Sequence, residues 1–248
     1  MMRQFFSWKR LFVIILLVAV FLVVGFVVWA NDALQPMPEA IAALQSDSQV
    51  QVTESNGWYV FTPTTAQPTT GLIFYPGGRV DARAYAPQMH AIANDGYLAV
   101  ITPMPLNLAI FGVNKAAEVE QAFPNIQHWA VAGHSLGGSM AAQFLSGNTT
   151  TQGLALWASY SAVDLSQAAI EAVSIYGTND GVAAPQSVLD GASKLPADAV
   201  FVAIEGGNHS GFGWYGLQPG DNEASITRDE QTAHTVAATV DMLASLNQ

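Results

Sequence analysis

The sequence predicts an α/β fold: a mostly parallel central sheet flanked by helices, without a sizeable cap domain, preceded by one transmembrane helix. Three observations predict it. Short apolar runs (GLIFY, YLAVI, WAVA, GLALW, AVSIY, AVFVAI) recur between residues 71 and 204 and alternate with helical patterns. Apolar runs of this length, bounded by turn residues, are strands covered on both faces, as parallel sheets are. One run turns sharply through Gly133-His134-Ser135-Leu136-Gly137 into a helix rich in small residues (Ser139, Met140, Ala141, Ala142). Ahead of the whole pattern, residues 11–30 carry no charge.

That leading run, LFVIILLVAVFLVVGFVVWA, matches in length the roughly 20 helical residues that cross a hydrocarbon core of about 30 Å. Arg3, Lys9 and Arg10 precede it and Asp32 and Glu39 follow. The positive-inside rule therefore expects residues 1–10 as a cytoplasmic basic tail, residues 11–30 as an anchor in the cell membrane, and the remainder outside the cytoplasm. A cleaved signal peptide is the competing reading, with Val28 and Ala30 before a cut at Asn31. The apolar run exceeds the 7–15 residues typical of such a core, which favours the anchor.

Composition narrows the partners. The 248 residues carry a net charge of −11, with 50 % hydrophobic and 11 % charged side chains. Without the three basic residues of the tail, five positive groups face 19 acidic ones, a net of −14, so a polyanion such as nucleic acid is repelled. The absence of cysteine excludes disulfides, thiolate metal sites and a cysteine nucleophile, and suits an exported bacterial protein.

Taken in order, residues 31–48 read as a stalk, with Pro36 and Pro38 opening a short helix over 39–45 that spaces the domain from the membrane. Residues 49–248 form the domain. QVQVTES and GWYVFTP alternate across Asn56-Gly57, a hairpin signature. The strand GLIFY closes on Pro76-Gly77-Gly78, and a helix over 85–94 presents Ala86, Met89, Ile92 and Ala93 on one face. Helices are then expected over 115–123, after the elbow at 136, over 166–171, over 187–194 and over 227–246, each between apolar strands. About a dozen residues join GLALWAS to AVSIYG, too few for a cap.

The glycine-flanked serine carries the chemistry. A nucleophilic serine on a strand-to-helix turn must stand clear of its own backbone, and Gly133 and Gly137 leave that room. The helix that follows points unpaired N–H groups at developing negative charge, so the Leu136 N–H is one expected oxyanion donor. A serine needs a base, and the base an orienting acid. His209 lies in the glycine-rich EGGNHSGFG directly after a buried strand, where a loop can carry it over Ser135; His134 points away by strand alternation, and His90, His128 and His234 read as boundary or surface groups. Asp180, in YGTNDG, falls between Ser135 and His209 in the order Ser, Asp, His. Asp164 is its rival, and Asp180 also fits simple stabilisation of an Asp-Gly turn. The second oxyanion donor is expected from the turn after GLIFY, at the Gly78 N–H with Arg79 next, a plain tight turn being the alternative.

GHSLGG, YGTNDG and GGNH on successive strands resemble the alpha/beta-hydrolase superfamily. More narrowly, YPGGRVDARAY, PMPLNLAIFG and GGNHSGFGWYGLQPGD resemble small, often membrane-anchored bacterial hydrolases related to dienelactone-hydrolase-like enzymes, over residues 40–246. The resemblance implies the alpha/beta-hydrolase fold, a Ser135–Asp180–His209 triad and carboxylic-ester hydrolysis. Dienelactone hydrolases carry cysteine where this chain has Ser135.

Around these residues, Leu106, Leu108, Ile110 and Phe111, with Phe212, Trp214 and Tyr215, read either as walls of an acyl pocket or as core. Arg79 and Arg83 read either as a receptor for an anionic substrate group or as a solvated pair. No metal-ligand spacing and no dinucleotide fingerprint is present, so no cofactor is expected. The expectation is a serine hydrolase acting on a small-molecule or lipid ester through an acyl-enzyme. An acyltransferase with the same triad and a non-catalytic membrane-tethered binding module are the alternatives.

Overall fold

The computed structural model describes residues 8–247. The apolar runs become the strands of one sheet: β1 (Val50–Ser55), β2 (Trp58–Pro63), β3 (Thr70–Tyr75), β4 (Leu98–Ile101), β5 (His128–His134), β6 (Gly153–Trp157), β7 (Glu171–Gly177) and β8 (Val200–Ile204). Their order is β1-β2-β4-β3-β5-β6-β7-β8. The β1–β2 hairpin is antiparallel and pairs antiparallel with β4, and every other pairing is parallel. Asn56 (φ 54°) and Gly57 (φ 76°) both take left-handed backbone at the hairpin tip, as a two-residue turn that follows strand twist requires.

Alternation along the strands divides the core into two. Leu72 and Phe74 of β3 and Ala130 and Ala132 of β5 face α3 (Ala86–Asn94) and α7 (Arg228–Ser245), where Met89, Ile92, Val236 and Leu243 close over them. Ile73 and Val131 face the other way, against Val119 of α4 (Lys115–Ala122) and Ala141, Ala142 and Leu145 of α5 (Leu136–Leu145). The last helix starts on a capping box in which the Thr227 side chain accepts the Glu230 N–H and the Glu230 carboxylate accepts the Thr227 N–H. Such a cap contributes about 1 kcal/mol.

Two helix expectations between the later strands are revised. No helix forms over 166–171. Asp164 Oδ1 accepts the Ser166 N–H, the Ala168 N–H donates to Leu165 O, and Glu171 already pairs with Gly153 in the sheet. This connection must return along the length of a strand, and six helical residues would span only about 9 Å of it. Between β7 and β8, the helix begins earlier, as α6 (Pro185–Asp190), and tightens into a 3₁₀ turn at Gly191–Lys194.

The N-terminal helix α1 (Trp8–Asn31) is long and apolar enough to cross a membrane, with mean hydropathy 3.5 over its best window. Of the basic tail expected over 1–10, residues 1–7 lie outside the described residues, and Lys9 and Arg10 already belong to α1. The segment 31–48, expected as a spacing stalk, lies along the domain instead. Leu34 bridges to the chain at Arg79 and Asp81, the Met37 N–H donates to Trp214 O, and α2 (Pro38–Ala42) buries Ala40. His90 then ties the end of this segment to α3 through Ala43 O and Asp47. The expected helix over 39–45 is thus shorter and begins one residue earlier, on Pro38.

Candidate active site

Parallel strands end on one edge of a sheet, and the loops that leave that edge carry the residues singled out above. Ser135 follows β5, Asp180 follows β7, His209 follows β8 and Gly78 follows β3. Ser135 sits at φ 52°, ψ −120°, a conformation costing about 1–3 kcal/mol that persists only where neighbours impose it. Here the Ser135 N–H donates to Trp157 O at 2.9 Å and the Ser159 hydroxyl donates to Ser135 O at 2.7 Å. The flanking glycines are sterically required. A Cβ on Gly137 would stand 2.1 Å from Tyr75 O, and one on Gly133 would stand 2.4 Å from the Gly137 carbonyl carbon. Ser135 itself remains half-buried and open to solvent.

Asp180 and His209 meet. Their Oδ2 and Nδ1 atoms are 2.8 Å apart, with both side chains wholly excluded from solvent. The other Asp180 oxygen accepts the Val182 and Ala183 N–H groups at 2.8 and 2.7 Å. One carboxylate thus makes both the histidine contact and the turn. Asp164 is exposed and occupied by its own turn. The His209 ring packs on the ring of His134, the residue before Ser135, with centroids 4.5 Å apart. His209 Nε2 is buried and has no hydrogen-bond partner among the described residues, and the hydrogen bonds of those residues include none from the Ser135 hydroxyl.

Three residues that frame this site escaped sequence reasoning. Asp221 accepts the Ser210 N–H and hydroxyl at 2.7 and 2.6 Å, the Gly181 N–H at 3.0 Å and the His209 N–H at 3.3 Å. One carboxylate thus joins the loop carrying the acid to the loop carrying the imidazole. Burial raises its pKa, but the hydrogen bonds from Ser210, Gly181 and His209 outweigh burial and hold it below the usual carboxylate range. Arg228 gathers the carbonyls of Ser210, Gly213 and Gly216 from the far side of the same loop. Tyr85 accepts the Gly77 N–H at 3.0 Å and its hydroxyl shares a hydrogen bond with His134 Nδ1 at 2.8 Å. Burial, then the neighbouring His209, push the His134 pKa well below its ordinary value, which favours a neutral imidazole here. The sole sequence signal for Asp221 was its place in a Pro-Gly-Asp turn, which says nothing of partners 11, 12 and 40 residues away.

Gly78 lies against Leu136: a Cβ placed on it would be 3.1 Å from Leu136 Cδ2 and 3.7 Å from Leu108 Cδ2. Neither the Gly78 nor the Leu136 N–H has an acceptor among the described residues. Arg79, the alternative donor, gives its N–H to Asn107 O at 2.8 Å. The arginine pair is engaged elsewhere. Arg79 spends its guanidinium on Trp29 O, Asp32 O and the Trp29 ring, and Arg83 pairs with Asp81 at 2.6 Å. Phe212, Trp214 and Tyr215 are buried, with Phe212 stacked on His134, so they are core. A groove of about 370 Å³ between β8 and α7, lined by Val173, Val200, Val202, His234 and Met242, lies away from these residues. Among the described residues, no three His, Cys, Asp or Glu side chains gather as a metal site would need.

A family model described as the alpha/beta hydrolase family matches residues 71–233. Among solved structures, TT1662 from Thermus thermophilus is similar at TM-score 0.60 and 14 % identity, covering 79 % of this chain and 98 % of that one. A predicted CIB-like hydrolase from Thermoplasma acidophilum is similar at TM-score 0.58 and 15 % identity, covering 80 % and 98 %. At such identities the likeness speaks for the fold alone. No curated protein matches the chain. The family match spans the strand before Gly78, the elbow, Asp180 and His209; with the sheet order and the strained serine turn already in place, this chain belongs to the alpha/beta hydrolase family.

Proposed function

We propose that this hydrolase cleaves a carboxylic ester through an acyl-enzyme on Ser135, with His209 as base and Asp180 as its orienting acid. The observation that carries the reading is the fully buried Asp180–His209 pair at 2.8 Å, packed against the residue that precedes a strained serine. With Asp180 on Nδ1, the imidazole carries its proton there and offers Nε2 as the basic atom, which is the atom left without a partner. Ser135 Oγ attacks the ester carbonyl carbon as its proton passes to His209 Nε2. The resulting oxyanion faces the free Leu136 and Gly78 N–H groups, where one such donor is worth about 2.7–4 kcal/mol. Collapse breaks the ester C–O bond, and the alcohol leaves with the proton from His209. Water then attacks the acyl group, gives its proton to His209, and the acid departs as Ser135 recovers the proton.

The charge distribution supports a place for the enzyme. Lys9 and Arg10 begin α1 and Asp32 and Glu39 follow it, so α1 anchors the chain in the cell membrane with the catalytic domain outside the cytoplasm.

The unmade Ser135–His209 hydrogen bond favours a second reading, a membrane-tethered binding module without catalysis. Such bonds often tighten only when substrate binds. Labelling the full chain in detergent with a fluorophosphonate, read by intact mass and peptide mapping, separates the two. The catalytic reading expects one adduct on Ser135 that is lost in His209→Ala; absence of any adduct on folded protein favours the binding module. Ser135→Ala should lower ester turnover by about 10⁴-fold or more without unfolding the domain.

A further inference from the structure

The C-terminal end of α1 is fastened to the loop that carries Gly78. Arg79 Nε and Nη2 donate to Trp29 O and Asp32 O at 2.9 and 2.7 Å, and its guanidinium lies over the Trp29 ring at 4.6 Å. Asn107 donates to Ala30 O at 3.2 Å, and Ala30 is fully buried. Leu34 is held between Arg79 O and the Asp81 N–H. These contacts join the anchor directly to the site edge.

That attachment sets a depth. Phe111 lies edge-on to Phe26, with ring centroids 6.3 Å apart. Phe26 is four residues short of the end of the apolar run, about 6 Å back along the helix at 1.5 Å per residue. Ile110 and Phe111 are nevertheless 49 % and 48 % exposed, and residues 96–114 contain no charged side chain. If α1 spans a bilayer, the contact with Phe26 puts Phe111 at the level where its hydrocarbon begins, with Ile110 beside it in the chain. From there the path to the chemistry is short: Ala109–Phe111 packs on α5, and Leu108 touches both the Gly78 position and, through it, Leu136.

We infer that the turn Ala109–Phe111 is a lip immersed in the outer leaflet, and that Ser135 takes its ester from that bilayer. The substrate half of this inference rests on the ester-hydrolase reading above. The substrate class is an amphiphilic acyl ester held in the membrane. The lip engages acyl chains and not anionic headgroups, because its exposed side chains are apolar, Arg79 is already occupied and the chain beyond α1 is strongly negative.

The chain has no cysteine, so single labels are unambiguous. Full-length Phe111→Cys and, as control at the opposite end of the sheet, Asp198→Cys would be labelled with bimane in phosphatidylcholine vesicles and quenched with acyl-brominated phosphatidylcholine. At least fivefold stronger quenching at 111 than at 198 is expected; equal quenching overturns the lip. An Ile110→Cys label gives the same depth if Phe111→Cys does not fold. In a parallel measurement on the unmodified chain, a long-chain acyl ester that does not exchange between vesicles is placed either in the vesicles that hold the protein or in separate protein-free vesicles. Hydrolysis confined to the first supports uptake from the membrane, and equal hydrolysis of both overturns that claim. Hydrolysis of no ester at all would overturn the substrate claim together with the hydrolase reading, while the quenching result would still judge the lip alone.

Discussion

Asp180 and His209 form a hydrogen-bonded contact of 2.8 Å with no solvent at either side chain, while the second Asp180 oxygen closes its own turn. Substituting Asp180→Asn would preserve the turn, since the amide oxygen still accepts the Val182 and Ala183 N–H groups. It would present an N–H to the imidazole, forcing the proton to Nε2 and removing the base. Ester turnover should fall by about 10³–10⁴-fold with little change in Tm, measured by steady-state kinetics beside thermal unfolding.

Asp221→Asn tests the bridge between the two loops. An amide cannot accept from Ser210, Gly181 and His209 together, so the imidazole should lose its fixed aim. A displacement of the order of 1 Å costs about 10²-fold in rate. The loss is expected in kcat, with KM nearly constant, because Asp221 lies behind the imidazole. Equal changes in both parameters would place Asp221 at the substrate instead.

Stability should depend on pH through His134. Its folded-state pKa is well below the ordinary 6.5, so the unfolded chain binds the proton first. The contribution is complete above pH 6.5 and is lost as pH falls below that value. Asp221, also depressed, adds its own loss below its ordinary 3.8. Tm measured between pH 7 and about 5 should therefore decline in the unmodified protein and decline less in His134→Gln. Tyr85→Phe, which leaves the Gly77 N–H and His134 Nδ1 unpartnered in a buried site, should cost about 1–3 kcal/mol for each group at neutral pH.

Gly137→Ala is a test of packing. The added methyl would meet backbone oxygens of Tyr75 and Pro76 at 2.1 and 2.5 Å, neither of which a side-chain rotation can relieve. A loss of about 3 kcal/mol or more in chemical denaturation is expected, with Ser135 displaced and turnover lost. Gly147→Ala, whose nearest neighbour would be 3.9 Å away, is the tolerated control.

The parts of this protein legible in its sequence are those that short stretches of chain specify alone. Buried strands appear as apolar runs because both faces exclude water, the Asn56-Gly57 tip because left-handed backbone favours those residues, and the elbow because a serine at φ 52° needs glycines beside it. The order of Ser135, Asp180 and His209 was legible for the same reason: each ends a recognisable strand. What residues distant in the chain decide together was hidden. Nothing near Arg79 announces that it will hold the end of a helix 50 residues earlier, which is why an arginine open to two readings is a clasp and an apparent stalk lies along the domain. Asp221 looks like a turn residue until folding brings the loops after β7 and β8 within reach of one carboxylate. Local backbone preference and burial act over a few residues and leave their mark in the sequence, whereas hydrogen bonds between loops depend on where the sheet places them.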